Sequence, residues 1–292
     1  MAVGRSYFMA LVAVSDANPN GDPLNGNRPR QHADGKGYIT DVCIKRKMRN
    51  RMQDMGRNIL IVSDDRITDG FKSIHDRLDG NKDFAEAEKA KDNDKMTSLV
   101  CENYEDVRAF GATIALKKGN KKDSDEQQNG NGVSIGIRAA VTIQEAESVD
   151  PVDIVSTQIT KSTNSETGDK RGSDTMGLKH GVRFGLYVIK GSINPLFADK
   201  NGFTEQDKKD IQEALDTLFL NDESAARPAG SVDVVKTIWW EGGDVIYPAS
   251  KIFNTVQIRH KEGVELPESY SDYEVTIEKL PEMEAPIVHD IF

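Results

Sequence analysis

The stretch that most constrains the fold is the longest apolar run of the sequence, Tyr7 to Val14. Gly4 precedes it and the turn-formers Asp16, Asn18 and Pro19 follow. A short apolar run with turn punctuation at both ends predicts a buried strand over Ser6–Ser15. It is far shorter than the ~20 apolar residues that a membrane-crossing helix needs. The chain enters this run directly from Arg5 with no small-residue cleavage site, so it reads as a first strand and not as a signal peptide.

A long loop punctuated by Asn, Gly and Pro follows, from Asn18 to Arg30. Thr40 or Asp41 then caps a helix closed by Gly56. Its apolar positions Ile44, Met48, Met52 and Met55 follow the i, i+4, i+8, i+11 spacing of one buried stripe. Lys45 and Arg49, four apart, share the outer face, with Arg46 and Lys47 beside them. From Arg28 to Arg57 there are nine Lys or Arg against three Asp, a balance of +6. The whole chain carries 38 basic and 48 acidic residues, a net −10, so everything else sums to −16. A cationic island in an acidic chain concentrates positive potential on one surface and suits a phosphate backbone. The helix also lacks the interspersed glutamates that would neutralise an ordinary solvated face.

Further along, Ile67, Phe71, Ile74 and Leu78 recur at helical spacing, and Asp79–Lys95 reads as a weakly packed helical stretch. The segment Lys117–Gly132 has the composition of a surface loop. Val133–Ile143 alternates as one strand, and Ile154–Ile159 starts another. From Thr160 to Arg183 a polar, glycine-rich excursion reads as an extended hairpin leading into a central strand, Val182–Ile193. Thr204-Glu205-Gln206-Asp207 resembles a capping box opening a helix to Leu220. Val232–Trp240 and Tyr273–Leu280 are further strands. The order suits an α+β domain on a ferredoxin-like β-α-β-β-α-β plan, with extra material in its connections.

Catalytic motifs are sparse. No P-loop, no GxGxxG after a strand and no GxSxG elbow occurs. Cys43 and Cys101 have no CxxC spacing, and His32, His75, His180, His260 and His289 stand singly, so neither a disulfide framework nor a zinc site is indicated and the cytosol is the expected compartment. Asp16, Asp22, Asp34 and Asp41 near the basic helix could support metal-assisted phosphodiester cleavage. Their Asn/Gly/Pro setting equally suits turns and caps. Binding asks for less: arginines and lysines for phosphates, glycine-turn amides for further contacts, apolar platforms for unstacked bases. Arg28 and Arg30 around Pro29 and the apolar Met176 in the polar excursion fit those roles.

The motifs NGDPxNxNRPR (Asn20–Arg30) and TDVCxKRKxRN (Thr40–Asn50), with the later run Thr175–Tyr187, carry a resemblance. The chain resembles the backbone subunit of a type I CRISPR Cascade, most closely the type I-C form, over most of its length. The resemblance implies a single RAMP-superfamily domain over residues 1–292: an RNA-recognition-like palm, a helical fingers insertion at about 63–105 and a hairpin thumb at about 158–182. It implies a cytoplasmic, non-catalytic protein without cofactor or metal, whose copies form a helical filament along CRISPR RNA. Guide segments would be presented to target DNA, alongside other Cascade subunits and away from membranes. By the same resemblance Arg28, Arg30, Lys45, Arg46 and Arg49 lie against guide phosphates, and Lys161, Lys170, Arg171, Met176, Lys179 and His180 face RNA from the thumb.

Two other readings compete. One is a metal-dependent RNA endonuclease of type III-like character, using loop acids such as Asp22 or Asp34. The other is a structural oligomer whose basic patch meets an acidic tail, since Lys261–Phe292 holds nine acids and two lysines.

Overall fold

The computed structural model describes residues 3–115, 134–160, 176–242 and 247–291. Lys161, Lys170 and Arg171, and the loop expected over Lys117–Gly132, lie outside these residues. The chain divides into two compact units. One comprises Met1–Arg5, Met52–Thr142 and Ile193–Gln212; the other comprises Ser6–Arg51, Ile143–Ser192 and Glu213–Phe292.

The second of these is built on a sheet. Among the described residues its path runs Ile287–Asp290, Val232–Glu241, Ser6–Ala17, Met176–Ile193, Ala146–Pro151, Lys36–Ile39. The apolar run at the amino terminus forms the strand Ser6–Ala17, flanked by two long strands. This position explains its lack of alternation: Tyr7, Met9 and Leu11 are buried in one cluster with Leu186, Val235, Ile238 and Trp240, while Phe8, Ala10 and Val12 are buried as well. In chain order the four principal strands are Ser6–Ala17, Ala146–Pro151, Met176–Ile193 and Val232–Glu241, and the sheet orders them fourth, first, third, second. The helix Asp41–Asp54 falls between first and second, and Glu205–Asp216 between third and fourth. That interleaving is the order of a β-α-β-β-α-β unit.

Gly37 shows how tightly the edge strand is fitted. A Cβ there would lie 2.3 Å from the hydroxyl of the fully buried Tyr187 and 2.9 Å from Val152. Gly37→Ala is therefore expected to lower the urea midpoint by the equivalent of about 1–3 kcal/mol, the usual cost of overpacking.

The acidic carboxy-terminal segment is integrated into this unit. Val256–His260 pairs antiparallel with Tyr273–Ile277, and Asp150 Oδ2 accepts from Tyr273 Oη (2.5 Å) and pairs with His260 Nε2 (3.0 Å). The Tyr273 hydroxyl is pushed up by burial and by that bond to Asp150. Ile287–Asp290 forms the sheet edge beside Lys236–Trp239.

The other unit is mainly helical. Ile74–Asp79, Lys82–Ala90, Asn93–Asn103 and Glu105–Phe110 enclose Leu78, Phe84, Ala87, Met96, Val100 and Val107, with Ile114, Ile135 and Ile137 from a two-stranded ladder. The expected helix from Ile67 begins only at Ile74. Gly70 takes φ +80°, Asp69 Oδ1 accepts from Phe71 N, and Ser73 caps Asp76 N, so the periodic Ile67 and Phe71 stand outside the helix. Arg77 is buried, donates to Leu60 O (3.0 Å) and grips Asp69 through two bonds (2.7 and 3.0 Å), holding that carboxyl below its ordinary range.

The stretch expected to be weakly packed is two capped helices with buried Phe84, Ala87 and Met96, broken where Lys91 turns to φ +58° and Asp92 caps Lys95 N. The single strand expected over Val133–Ile143 is two, Ser134–Ile137 and Val141–Ile143. The break leaves Arg138 O and Ala140 O to accept from Asn201 Nδ2 and Asn194 N. The capping box is present: Asp207 N donates to Thr204 Oγ1 (3.1 Å) and Thr204 N to Asp207 Oδ2 (2.7 Å). Its helix ends at Asp216, short of Leu220.

Candidate nucleic-acid interface

The loop after the first strand is a built structure. Gly21–Asp22 pairs with Arg28–Pro29 around a 3-10 turn, Pro23–Asn25. Asp22 Oδ1 accepts from Leu24 N (3.2 Å), Asn27 N donates to Asp22 O (2.8 Å) and Asn18 Nδ2 donates to Asn27 O (2.7 Å). Gly26 and Asn27 both take φ +59°, the left-handed backbone that Gly and Asn tolerate best. Asn20 Oδ1 accepts from Thr40 N and Thr40 Oγ1 (both 3.0 Å), and Thr40 Oγ1 accepts from Cys43 N (3.2 Å). The polar residues of the loop thus fasten it to the N-cap of the basic helix. Arg30 lies 3.5 Å from Asp22.

The basic helix is more neutralised than its local sequence suggests. Lys45 Nζ pairs with Asp41 one turn back (2.9 Å). Lys47 points inward: it is buried, pairs with Asp222 and lies over the Phe219 ring. Arg51 Nε donates to Thr217 Oγ1 (2.7 Å). Arg46 and Arg49 are half-buried and each makes an interaction. The expectation of a face without acidic partners is corrected here, because one partner lies a turn away and another comes from a segment remote in sequence.

The arms of the expected hairpin are the antiparallel pair Ile154–Thr160 and Met176–Val182, in register from Met176 opposite Thr160 to Val182 opposite Ile154. Alternation sorts their side chains. Met176, Leu178 and His180 share one face with Thr160, Gln158 and Ser156, whereas Lys179 lies on the other face. There a cavity of about 220 Å³ is lined by Lys179, Asp16, Val155, Thr157 and Gly181. Met176 and Leu178 are 61% and 63% exposed. Arg28 Nη1 donates to Ser156 Oγ (3.1 Å), which is bonded to His180 Nδ1 (2.8 Å). The arginine loop and the hairpin therefore meet on the face that carries the exposed Met176 and Leu178.

Of the residues expected to bind, Arg28, Met176 and His180 come together on this face, with Arg30 in the same loop. Lys179 does not join them. Ser156, Gln158 and Leu178 escaped sequence reasoning. The i, i+2 spacing of Met176, Leu178 and His180 would have found Leu178; nothing local marks Ser156.

Acidic groups follow a different pattern. Asp22 caps Leu24 N, and Asp34 Oδ1 accepts from Lys36 N (3.1 Å), so both serve turns. Among the described residues, the acids close enough to share an ion are Glu105, Asp207 and Asp210 of the helical unit, with oxygens within 4.8 Å of one another. Arg108 grips Asp207 (2.6 and 3.1 Å) and Arg57 holds Asp210 (2.6 Å), which supplies positive charge to two of the three. Burial first, then the charges of Asp207 and Asp210, push Glu105 up to about 8.

Comparison with known proteins places these features in a family. A family model described as CRISPR-associated protein Cas7 matches residues 4–278. A CRISPR-associated protein Cas7 from Haloferax volcanii is 27% identical over 226 residues, covering 74% of this chain and 63% of that relative's length. A chain of a solved CRISPR RNA-guided surveillance complex, pre-nicking, superimposes with a TM-score of 0.52 at 12% identity, over 85% of this chain and 81% of that one, a likeness of fold.

Proposed function

Because the chain belongs to the CRISPR-associated protein Cas7 family, we propose that it is a guide-RNA-binding backbone subunit of a CRISPR surveillance complex, of type I-C character. In this reading it is cytoplasmic and non-catalytic, and copies stack into a filament along CRISPR RNA with other Cascade subunits. Guide segments left exposed pair with target DNA. The sheet unit acts as palm of one RAMP-type domain, residues 63–105 as fingers and residues 158–182 as thumb. Arg28, Arg30, Lys45, Arg46 and Arg49 contact phosphates from one side, and Lys161, Lys170, Arg171, Met176, Lys179 and His180 face the RNA from the thumb.

The observation that carries the reading is the junction of Arg28 with Ser156 and His180, which sets a cationic loop against exposed Met176 and Leu178. Guanidinium donors beside apolar platforms are what a single strand needs from a sequence-independent binder. The capping duties of Asp22 and Asp34 favour binding over cleavage.

Charge removal tests it. Lys45→Ala/Arg49→Ala is expected to weaken binding of all single-stranded RNA sequences alike and to reduce the salt slope by roughly 0.7 per lost phosphate contact. An unchanged slope removes the helix from the interface. Incubation of the assembled complex with complementary RNA and Mg²⁺ should leave that RNA intact; regular cuts lost on Asp22→Asn or Asp34→Asn would establish the endonuclease instead.

A further inference from the structure

The Arg28–Ser156–His180 chain has a direction. A guanidinium is donor-only, so Arg28 Nη1 (3.1 Å) makes Ser156 Oγ an acceptor. A hydroxyl that accepts from a cation has its own O–H polarised, which makes it a better donor and a poorer acceptor of a second bond. The contact of 2.8 Å between Ser156 Oγ and His180 Nδ1 is then filled by the serine hydrogen, and Nδ1 accepts. A neutral imidazole whose Nδ1 accepts carries its hydrogen on Nε2. His180 thereby presents an N–H donor away from Ser156, while Arg28 keeps further guanidinium N–H groups free of that bond. Leu178, two residues along the same face and 63% exposed, is the neighbouring apolar surface.

We propose that Ser156 is the positioning residue of a phosphate subsite, in which its hydroxyl fixes His180 as the Nε2–H form so that His180 and Arg28 together donate to a phosphodiester oxygen of bound single-stranded RNA. This rests on the RNA-binding reading above and adds to it a residue and a geometry. Ser156 is exposed and lies on a hairpin arm, so its substitution perturbs the pair without emptying a core position.

The test joins affinity to a spectroscopic reading of the ring. In the full chain with ¹⁵N-labelled histidine, the His180 imidazole should be held wholly as the Nε2–H tautomer, and Ser156→Ala should relax it to the tautomer mixture of a free imidazole. Ser156→Ala should weaken binding of a single-stranded RNA oligonucleotide roughly ten-fold, the scale of a hydrogen bond to a charged group. Ser156→Thr, which keeps the hydroxyl, should restore both readings. Ser156→Ala/His180→Ala should bind no more weakly than His180→Ala alone, because serine acts through histidine. A wild-type Nδ1–H tautomer, or additive losses in the cycle with RNA binding retained, overturns the subsite alone. Absence of RNA binding by the unmodified chain overturns the function and the subsite together.

Discussion

Gly111→Ala is expected to be the most damaging single-methyl addition in the helical unit, lowering its stability by about 2–6 kcal/mol. Gly111 ends the helix Glu105–Phe110 with φ 68° and ψ 174°, a region open essentially to glycine alone. The strain of a side chain there is about 1–3 kcal/mol. A Cβ would also stand 2.3 Å from Ile137 O and 2.8 Å from Ala139 N. Both are backbone atoms, and Ile137 is paired with Ala112 in the ladder, so neither can move without breaking the strand pair. Overpacking of this kind adds about 1–3 kcal/mol. Gly202 provides the control: it ends another helix of the same unit at φ 71° and ψ 27°, with nothing within 4 Å of its Cβ position. Gly202→Ala should cost about 1 kcal/mol, the left-handed penalty alone. Equal urea-midpoint shifts for the two variants would show that the Ile137 contact does not constrain Gly111.

The contrast between these glycines bears on what sequence can reveal. Both glycines end helices at positive φ, and only the three-dimensional neighbourhood separates them. Elements whose signals are local were legible: the apolar strand Ser6–Ala17, the stripe Ile44, Met48 and Met52, and the Thr204–Asp207 box. Periodicity misled where a capping side chain overrode it, as at Ile67 and Phe71, which precede the helix that Ser73 caps at Ile74. The edge strand Ile287–Asp290 escaped notice because its pairing with Lys236–Trp239 depends on register and leaves no mark in its own short sequence.

At the candidate interface the same division holds. Arg28 and His180 could be singled out by residue type, but Ser156, which joins them, lies 128 positions from Arg28. The basic helix was recognisable as basic; its neutralisation was not, because Asp222 meets Lys47 across 175 positions. Compensation of this kind selects which cations remain for a ligand. Lys47 is withdrawn into the fold, whereas Arg28 and Arg30 are held on a turn fastened by Asn18, Asn20 and Asp22.

The second large effect is expected from Glu105→Gln, and it should depend on pH. Glu105 is 6% exposed, its Oε1 has no hydrogen-bond partner, and Oε2 lies 3.9 Å from Arg57 Nε. Three carboxyls face two arginines, so one negative charge is left over, and burial together with Asp207 and Asp210 raises Glu105 from 4.5 to about 8. Its folded value exceeds the unfolded one, and between them the folded chain holds a proton that the unfolded chain releases. The stability this proton linkage contributes is fully present below about 4.5 and is lost as pH rises through about 8. Glutamine has no proton to lose, so Glu105→Gln should match the parent near pH 5. It should then exceed the parent progressively toward pH 9, by an amount on the order of a few kcal/mol. Comparing the two chains cancels every contribution that they share. Urea midpoints across pH 5–9 give the reading; a constant difference between the two chains would mean that Glu105 is ionised throughout that range.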